Sequence, residues 1–543
     1  MILLAATFWR AQLSADRITK AAQEPGNWLT YSGNYNGHRY STLTQITPDN
    51  VKNLELQWVL QVQQRGNSDK WEASPLVVDG VLYTVRPPND VVAVDAITGR
   101  IFWTYNHNPA PTARVCCGRV NRGLAILGNT LFMGTIDGRL LALNSATGAV
   151  LWNVPVGAPE AGYSVTVAPL VVKDKVILGP AGGEYGIRGF ITAYSPVDGK
   201  ELWRFNTIPS PGDPGSETWK GDAWKTGGGP IWTTGSYDPD LNLMYWGVGN
   251  PGPDWNGDGR PGDNLYTESV VALDPDTGKL KWHYQFTPHD EFDFDATQVP
   301  VLTDIPWQGS ARKVMLFANR NGMFYVLDRT NGKFLSGKPF TRVNWLEGFD
   351  ANGRPKKVLE PSAAGTLVYP NNQGATNWYS PSYSPRTGLF YIPSWTDTSS
   401  VYRKDPGNPP IYTEGAQFNG IFPTVAFGTD SLPAMAATPT NTRLTPGTAG
   451  AVQAFDPRTG ERKWSFAMND VTDAGVLTTS TNVLFSGGRE GYFYALDARD
   501  GKLLWKTQLG GSIANGPISY LANGRQYVTV AGGNAMFVFA LRQ

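Results

Sequence analysis

A nine-residue pattern recurs along this 543-residue chain and constrains its fold more than any other feature. In each copy a short turn holds Gly at the fifth position, and a strand-like run ends in Trp at the ninth. Six copies are complete: "DAITGRIFW" (95–103), "NSATGAVLW" (144–152), "SPVDGKELW" (195–203), "DPDTGKLKW" (274–282), "DPRTGERKW" (456–464) and "DARDGKLLW" (497–505). A seventh, "DRTNGKFLS" (328–336), lacks the Trp, and "LELQW" (54–58) is similar to the strand half of an eighth.

The residues of this pattern predict β-hairpins. Asp, Asn or Ser opens each turn, and Gly accepts a positive φ. Apolar runs such as "SPLVVDGVLYTV" (74–85) and "APLVVKDKVILG" (168–179) predict preceding strands with turns at Asp-Gly and Lys-Asp. A spacing of roughly 40–55 residues is typical of propeller blades. We therefore predict an all-β, eight-bladed β-propeller whose Trp residues dock each blade onto the next. The longer intervals 203–274 and 336–456 hold insertions on one face or degenerate copies.

Composition and the N-terminus limit the function classes. Lys+Arg and Asp+Glu both number 46, so no basic field favours nucleic acid. "MILLAATFWRAQLSA" resembles the tail of a secretory signal, is too short to span a bilayer, and predicts export; a frayed N-terminal arm is the alternative. No other stretch reaches transmembrane length. We divide the chain into an arm, 1–26, and a single propeller domain, 27–543.

Several familiar motifs fail on inspection. "GVGNPG" (247–252) matches a dinucleotide-binding pattern, but the following residues cannot begin a helix. "DWNGDG" (254–259) resembles half of a calcium loop, but Leu265 stands where a bidentate Glu is required, so we expect a turn-rich surface loop. The four histidines show no zinc spacing, and C-x-x-C-H and G-x-S-x-G are absent from the sequence.

The two cysteines of the chain, Cys116 and Cys117, are neighbours in "RVCCGR" (115–120). A disulfide between them would close no loop that restrains the unfolded chain, so it would serve a purpose other than global stability. Two reduced buried thiols or a soft-metal chelator are the alternatives. Polar groups outside the repeats form a further set, namely Glu72, Arg122, Thr166, Glu184, Asn250 and "HDEFDFD" (289–295).

With these motifs the sequence resembles the soluble pyrroloquinoline quinone (PQQ)-dependent alcohol dehydrogenases, the methanol and ethanol dehydrogenase group. The resemblance runs from "NWLTYSGNYNGHRYSTLTQI" (27–46) to "GGNAMFVFAL" (532–541) and is most specific at "CC" with "NRG", "GGGPIW" (227–232), "RPGDNLYT" (260–267) and "WHYQFTPHDEFDFD" (282–295). The family fold is an eight-bladed propeller. Two departures, Ala181 in place of a Ser and "GGNAMF" in place of a "GGW" motif, argue against methanol dehydrogenase proper.

The resemblance implies a PQQ site. In this family the vicinal cysteines form a disulfide ring against one face of PQQ, and by position Trp232 stacks on the other face. The residues expected to bind the cofactor are Glu72, Arg122 and Thr166 through its carboxylates and other oxygens, Gly182 and Gly183 through close backbone approach, Arg320 at the quinone oxygens, and Asn377 with Trp378 beside it.

The resemblance also implies a catalytic base and a metal ion. Asp293 is the base by position, and Glu184, Asn250 and Asp293 are oxygen ligands that favour an ion of the size of Ca²⁺. Asp295 stands where lanthanide-dependent members carry Asp. Alternation along an extended segment puts Asp293 and Asp295 on one side, so we favour a lanthanide(III) ion over Ca²⁺. The alternative is that Asp295 hydrogen-bonds to a nearby loop.

We expect a periplasmic enzyme that oxidises primary alcohols to aldehydes by hydride transfer to PQQ. The acceptor is expected to be a separate soluble cytochrome c, because no haem motif is present; the substrate's chain length and the existence of a homodimer are open. One alternative is a PQQ-dependent sugar or polyol dehydrogenase. The other is a non-catalytic propeller scaffold, similar to those of outer-membrane assembly, which would need the Trp repeats but not Cys116, Cys117, Glu184 or Asp293.

Overall fold

The structure, a computed structural model, describes residues 13–62, 70–427 and 450–543. Within these ranges the chain forms eight antiparallel sheets of four strands, one of them extended by a fifth, parallel strand. They are the blades of the predicted β-propeller, which confirms the all-β prediction. The first twelve residues, on which most of the proposed signal segment falls, lie outside the described residues.

We number the blades along the chain. Blades 1 to 4 consist of Leu76–Val78, Val81–Arg86, Asp90–Asp95 and Ile101–Tyr105; Ala125–Leu127, Thr130–Gly134, Arg139–Asn144 and Val150–Pro155; Leu170–Val172, Lys175–Leu178, Phe190–Tyr194 and Glu201–Asn206; and Ser236–Asp238, Leu243–Gly247, Ser269–Leu273 and Leu280–Gln285. Blades 5 to 8 consist of Val301–Trp307, Ser310–Ala318, Met323–Asp328 and Phe334–Pro339; Ser382–Ser384, Leu389–Trp395, Gly450–Asp456 and Glu461–Met468; Leu477–Thr479, Val483–Gly487, Tyr492–Asp497 and Leu503–Gln508; and Ile518–Ala522, Arg525–Gly532, Ala535–Leu541 and Leu54–Gln61.

The remaining elements are short. Tyr40–Ser41 adds a parallel strand to blade 7, and two small sheets comprise Leu346–Phe349 with Pro355–Lys357, and Thr366–Val368 with Thr398–Tyr402 and Thr424–Phe427. Helical segments are Ala15–Thr19 and the 3₁₀ turns Ala21–Gln23, Val51–Asn53, Pro159–Ala161, Gly183–Tyr185, Ser216–Thr218 and Ala223–Thr226. In the described residues, no helix is both long and apolar enough to cross a membrane.

Each blade runs from a buried inner strand to a half-exposed outer strand. In blade 1 the residues of Leu76–Val78 are all buried, whereas those of Ile101–Tyr105 alternate between exposed and half-buried. Because neighbouring strands are antiparallel, the connections between blades and those between second and third strands lie on the same face. We call this the front face. The short turns, including those of the nine-residue repeat, lie on the opposite face.

The repeated Trp docks each blade onto the next, as predicted. Nε1 of Trp103 donates to the carbonyl of Ser145 at 3.1 Å, in the repeat turn of the following blade. A Cβ on Gly148 of that turn would come within 2.5 Å of the Trp103 ring. The same close contact between a Trp ring and the Gly of the next turn joins Trp152 to Gly199, Trp203 to Gly278, Trp282 to Gly332 and Trp464 to Gly501. The Gly of the turn is therefore needed for close approach as well as for its positive φ.

Blade 5 lacks this Trp and keeps the packing in another way. Ser336 stands at the Trp position, and the methylene groups of Lys338 cover the turn instead, since a Cβ on Gly460 would lie 2.5 Å from Cγ of Lys338. A long charged side chain can pack its stem on apolar surface in this manner. The degenerate seventh copy is therefore still a full blade.

The two ends of the chain close the ring. Leu54–Gln61 pairs antiparallel with Ala535–Leu541, so the strand half predicted at 54–58 completes blade 8. The Trp58 ring then packs against Gly99 of blade 1, where a Cβ would lie 2.7 Å away. Closure covers the faces of the first and last blades that an open array would leave exposed.

The long intervals hold insertions on the front face, as one of the two alternatives predicted. The connection after Trp395 carries a segment over the Glu184 turn, where Phe418 N–H donates to the Glu184 carbonyl at 2.7 Å. The same segment accepts Trp255 N–H at the Asn419 carbonyl, at 2.8 Å. These contacts enclose the front face near the predicted site.

The contact between Trp58 and Gly99 is expected to stabilise ring closure. Gly99→Ala adds a methyl group against the Trp58 ring at φ +72, whereas Gly80→Ala in the same blade adds one at φ +82 with no atom within 4 Å. Gly80→Ala should therefore cost only backbone strain, roughly 1–2 kcal/mol. Gly99→Ala should cost roughly 1–3 kcal/mol more. Chemical denaturation of both variants measures the difference, and equal losses would contradict the role of the contact.

Candidate active site

The propeller topology gathers the predicted site residues. Glu72, Cys116, Arg122 and Thr166 precede the first strands of blades 1 to 3, and the same position in later blades is held by Trp232, Asp293, Asp295, Asn377 and Trp378. The other members, Gly182, Gly183, Glu184, Asn250 and Arg320, lie between second and third strands. All of these segments belong to the front face. Residues as far apart in sequence as 72 and 378 therefore share one end of the propeller.

Arg122 joins one group of these residues. Its guanidinium lies 2.9 Å from Glu72 Oε2 and donates from Nη1 to Thr166 Oγ1 at 3.0 Å and to the Trp232 carbonyl at 2.9 Å. It also lies 4.8 Å from the centre of the Trp232 ring. Burial raises the pKa of Glu72, and the charge of Arg122 opposes the rise. Arg122 therefore contacts both of the other residues, Glu72 and Thr166, that are predicted to bind the oxygens of the cofactor.

Cys116 and Cys117 form a disulfide, with Cα atoms 3.8 Å apart. Their sulfurs and the Glu184 carboxylate lie within 4.8 Å of one another, and Cys117 Sγ is 3.7 Å from Glu184 Oε1. Because the two sulfurs are bonded to each other, neither offers a thiolate to a soft metal. The alternatives of two reduced thiols or a soft-metal chelator therefore do not apply. The disulfide lies directly beside Glu184, a predicted metal ligand.

Arg320 joins the two aspartates of "DFD". Nη2 donates to Asp293 Oδ2 at 2.8 Å, and Nη1 donates to Asp295 Oδ2 at 2.5 Å. Asp293 and Asp295 thus lie on one side, as predicted, but the reason is not regular alternation, since Asp293 has φ +60. Arg320 was expected to contact the quinone oxygens. Sequence reasoning did not predict that it also forms ion pairs with both aspartates.

Asn250 connects this ion pair to the Glu184 turn. Its backbone N–H donates to Asp295 Oδ1 at 2.6 Å, which is the loop hydrogen bond considered as the alternative role of Asp295. Its side-chain Nδ2 donates to Asp254 Oδ1 at 2.6 Å. A Cβ on Gly183 would lie 2.4 Å from Asn250 Oδ1, so Gly183 permits the close approach of this oxygen.

Burial dominates the electrostatics of these carboxylates. It raises the pKa of Glu184 to about 7, with Asp295 adding to the rise. It also raises the pKa of Asp293 and of Asp254 well above the usual range, and Arg320 opposes this for Asp293. Burial alone would lower the pKa of Arg320, but Asp293 and Asp295 hold it above its usual value. Such a group of acids is suited to binding a cation.

Asn377 and Trp378 lie at the far side of the predicted set. Asn377 Nδ2 donates to the Gln373 carbonyl at 2.9 Å, and Trp378 Nε1 donates to the Ala514 carbonyl at 3.2 Å. Lys70 Nζ lies 4.9 Å from the centre of the Trp378 ring and 3.5 Å from Asp473 Oδ2. Lys70 and Asp473 were not predicted, because a single Lys and a single Asp outside any motif carry no signal in the sequence.

Two buried acids were also missed. The prediction that "DWNGDG" is a surface loop is wrong for Asp254, which is fully buried beside Asn250. Its carboxylate is turned inward by the fold, which the turn-rich composition could not indicate. Glu268 is fully buried, and both of its carboxylate oxygens lack a hydrogen-bond partner among the described residues. Burial raises its pKa well above the usual range, and Asp290 adds to the rise.

Comparisons with known proteins show which family the chain resembles. A family model described as glucose/ethanol/alcohol dehydrogenase, β-propeller domain, matches residues 28–344. A second model, outer membrane protein assembly factor BamB, matches residues 448–541. That second match lies on the C-terminal Trp repeats and includes none of the predicted site residues.

Individual relatives cover most of the chain. The quinohemoprotein alcohol dehydrogenase ADH IIB of Pseudomonas putida is 40% identical over 539 residues, which are 95% of this chain and 74% of the relative. A 1-butanol dehydrogenase (cytochrome c) of Thauera butanivorans is 37% identical over 94% of this chain and 74% of its own. The solved structure of a europium-containing methanol dehydrogenase is 32% identical, with a TM-score of 0.88, 97% of this chain covered and 100% of that chain.

These matches extend over the blades and over every segment that carries the front-face residues. The family model covers more than half of the chain, and the relatives exceed 30% identity over most of it. The chain therefore belongs to the family of PQQ-dependent alcohol dehydrogenases.

Proposed function

We propose that this protein oxidises primary alcohols to aldehydes in the periplasm, using PQQ and one metal ion. The observation that carries the proposal is the arrangement of Asp293 and Asp295 on Arg320, next to the unpartnered oxygen of Asn250. This arrangement offers a base and oxygen ligands at the same place. When bound, PQQ supplies a hydride acceptor, and the ion supplies a Lewis acid.

Unpartnered polar atoms support the fit of both groups. Among the described residues, Nε of Arg122 and Nε of Arg320 are buried donors without a hydrogen-bond partner, as suits an anionic cofactor rich in oxygen. Asn250 Oδ1 and Asp254 Oδ2 are buried acceptors without a partner, as suits a cation. Buried polar atoms are rarely left unpaired in native proteins, so such atoms indicate a missing ligand.

For PQQ, the residues that would hold it are those of the Arg122 group together with the disulfide. Glu72, Arg122 and Thr166 would bind its oxygens, and the backbone at Gly182 and Gly183 would approach it closely. Trp232 and the Cys116–Cys117 pair would lie on opposite faces of the ring. Arg320, Asn377 and Trp378 would complete the pocket.

Asp293 is the proposed general base. Its side chain is 13% exposed, so a small alcohol can reach it. Oδ2 is held by Arg320 at 2.8 Å, which fixes the carboxylate while a substrate hydroxyl proton transfers to it.

For the metal ion, the proposed ligands are Glu184, Asn250, Asp293 and Asp295. All four offer oxygen, which suits Ca²⁺ or a lanthanide. We favour a lanthanide(III) ion because the acids outnumber the single guanidinium of Arg320 that pairs with them. Asp295 already accepts hydrogen bonds at both oxygens, but each carboxylate oxygen has a second lone pair that can reach an ion.

The electron acceptor is proposed to be a separate soluble cytochrome c. The name of the Thauera butanivorans relative includes cytochrome c, which supports this partner.

The proposal is tested by reconstituting the protein with PQQ and either La³⁺ or Ca²⁺ and assaying dye reduction across an alcohol panel. Activity should be higher with La³⁺. Asp295→Asn keeps an acceptor for the Asn250 N–H and removes one charge, so it should reduce lanthanide-supported activity more than calcium-supported activity. No quinone absorbance and no alcohol-dependent activity with either ion would overturn the function. Equal or better wild-type activity with Ca²⁺ would overturn the lanthanide preference alone.

Asp293→Asn should retain PQQ but lose turnover. General-base catalysis is typically worth roughly 10²–10⁴-fold, so kcat should fall by about that factor. Asp304→Asn is a control, since this carboxylate pairs with Arg329 instead of Arg320. Steady-state kinetics with the reconstituted variants gives the answer, and a near-normal kcat for Asp293→Asn would remove Asp293 from the base role.

Cys116→Ser combined with Cys117→Ser should fold, because the ring spans no loop and the blades do not depend on it. Cofactor retention or activity should fall, because the disulfide lies beside Glu184. Thermal unfolding of the cofactor-free variant is compared with that of the wild type. A large loss of stability would show that the pair is structural.

A further inference from the structure

Asp254 is a buried carboxylate with no charged partner. It lies four residues after Asn250 and is 0% exposed. Its Oδ1 accepts the 2.6 Å hydrogen bond from Asn250 Nδ2, and its Oδ2 has no hydrogen-bond partner in the described part of the chain. Within those same residues, no Lys or Arg forms an ion pair with it; the neighbouring Arg260 donates to the carbonyls of Pro253 and Asp254 instead.

The hydrogen bond from Asn250 decides which way its amide faces. When Asp254 is ionised, its carboxylate can only accept, so the end of the Asn250 amide that meets it must be Nδ2. Oδ1 then points away from Asp254, toward the Glu184 turn, where a Cβ on Gly183 would lie 2.4 Å from it. This oxygen is fully buried and has no partner among the described residues. Without Asp254, the amide could turn and present hydrogens instead of an oxygen.

Asp254 also changes the charge of the site. Glu184, Asp293 and Asp295 carry three carboxylates, and Arg320 is the guanidinium that pairs with two of them. With Asp254 the carboxylates number four. An ionised Asp254 adds one more negative charge beside these acids, and each added negative charge attracts a trivalent ion more strongly than a divalent one.

We propose that Asp254 is a positioning residue of the metal site, which holds Asn250 Oδ1 toward the ion and adds a charge that favours a trivalent ion. This inference rests on the proposed function, since it requires an ion at Glu184, Asn250 and Asp293. Asp254 acts through its hydrogen bond with Asn250 and through the electrostatic field of its own charge, and it need not touch the ion.

The surrounding segment is held without the Asp254 side chain, so substitutions there are expected to fold. Nε and Nη2 of Arg260 donate to the Pro253 carbonyl at 3.1 and 3.0 Å. Trp255 N–H donates to the Asn419 carbonyl at 2.8 Å. These contacts fix the backbone on both sides of Asp254.

Two substitutions separate orientation from charge. Asp254→Asn keeps an oxygen that can accept from Asn250 Nδ2 but removes the charge. Asp254→Leu keeps the branching of the side chain, is larger, and removes both. Asp258→Asn is the matched control, because Asp258 lies in the same segment and pairs with Lys404 at 2.9 Å.

The measurement is ion affinity of the PQQ-reconstituted protein, from Tb³⁺ luminescence with La³⁺ and Ca²⁺ as competitors. Asp254→Asn should lower La³⁺ affinity by roughly tenfold or more and Ca²⁺ affinity by a smaller factor, because a trivalent ion is attracted more strongly by each charge. Asp254→Leu should weaken both ions further, and Asp258→Asn should bind as the wild type does.

Wild-type affinities and an unchanged La³⁺-to-Ca²⁺ ratio in both Asp254 variants would overturn the inference, even if the melting temperature of the ion-free protein falls. If Asp254→Leu fails to fold, the ratio for Asp254→Asn decides alone. A wild-type protein that binds none of the three ions would instead overturn the proposed function.

Discussion

Closure of the ring by Leu54–Gln61 against Ala535–Leu541 is the constraint on which the rest of the structure depends. Only a closed ring brings every blade to the same axis, and only then do the connections of the front face converge. On the opposite face, the repeat turns and their Trp residues hold neighbouring blades together, beginning with the contact of Trp58 with Gly99. Stability and chemistry therefore occupy different ends of the same strands, so the front-face segments can carry buried charge without interrupting the blade-to-blade packing.

That buried charge is the second constraint. Acids taken out of water raise the free energy of the folded state unless a cation compensates them. Arg320 compensates Asp293 and Asp295, but Glu184 and Asp254 have no such partner within the described residues. The proposed metal ion would complete the balance, and it would leave Asp293 close to a cation and yet accessible from the front face.

The fold was predictable from the sequence because its signal is repeated. Six complete copies of a Gly–Trp pattern indicate both the hairpin of each blade and its contact with the next blade. The packing of Trp103 against Gly148 is an example. The disulfide was predictable only through resemblance to a family, and the residues proposed to bind PQQ rest on the same resemblance. Asp254 was wrongly predicted to lie in a surface loop, and Lys70 was not predicted as a site residue. The burial of a single polar side chain depends on segments distant in sequence, such as the one that carries Asn419.

The central claim is that the oxygen of Asn250 and the carboxylates of Glu184 and Asp293 bind one ion beside PQQ. A crystal structure of the protein reconstituted with PQQ and La³⁺ tests this most directly, through the anomalous signal of the ion. The account predicts a single strong peak in contact with Asn250 Oδ1, Glu184 and Asp293, with Asp254 still accepting from Asn250 Nδ2. A peak elsewhere, or an Asn250 amide turned with Nδ2 toward the ion, would contradict it.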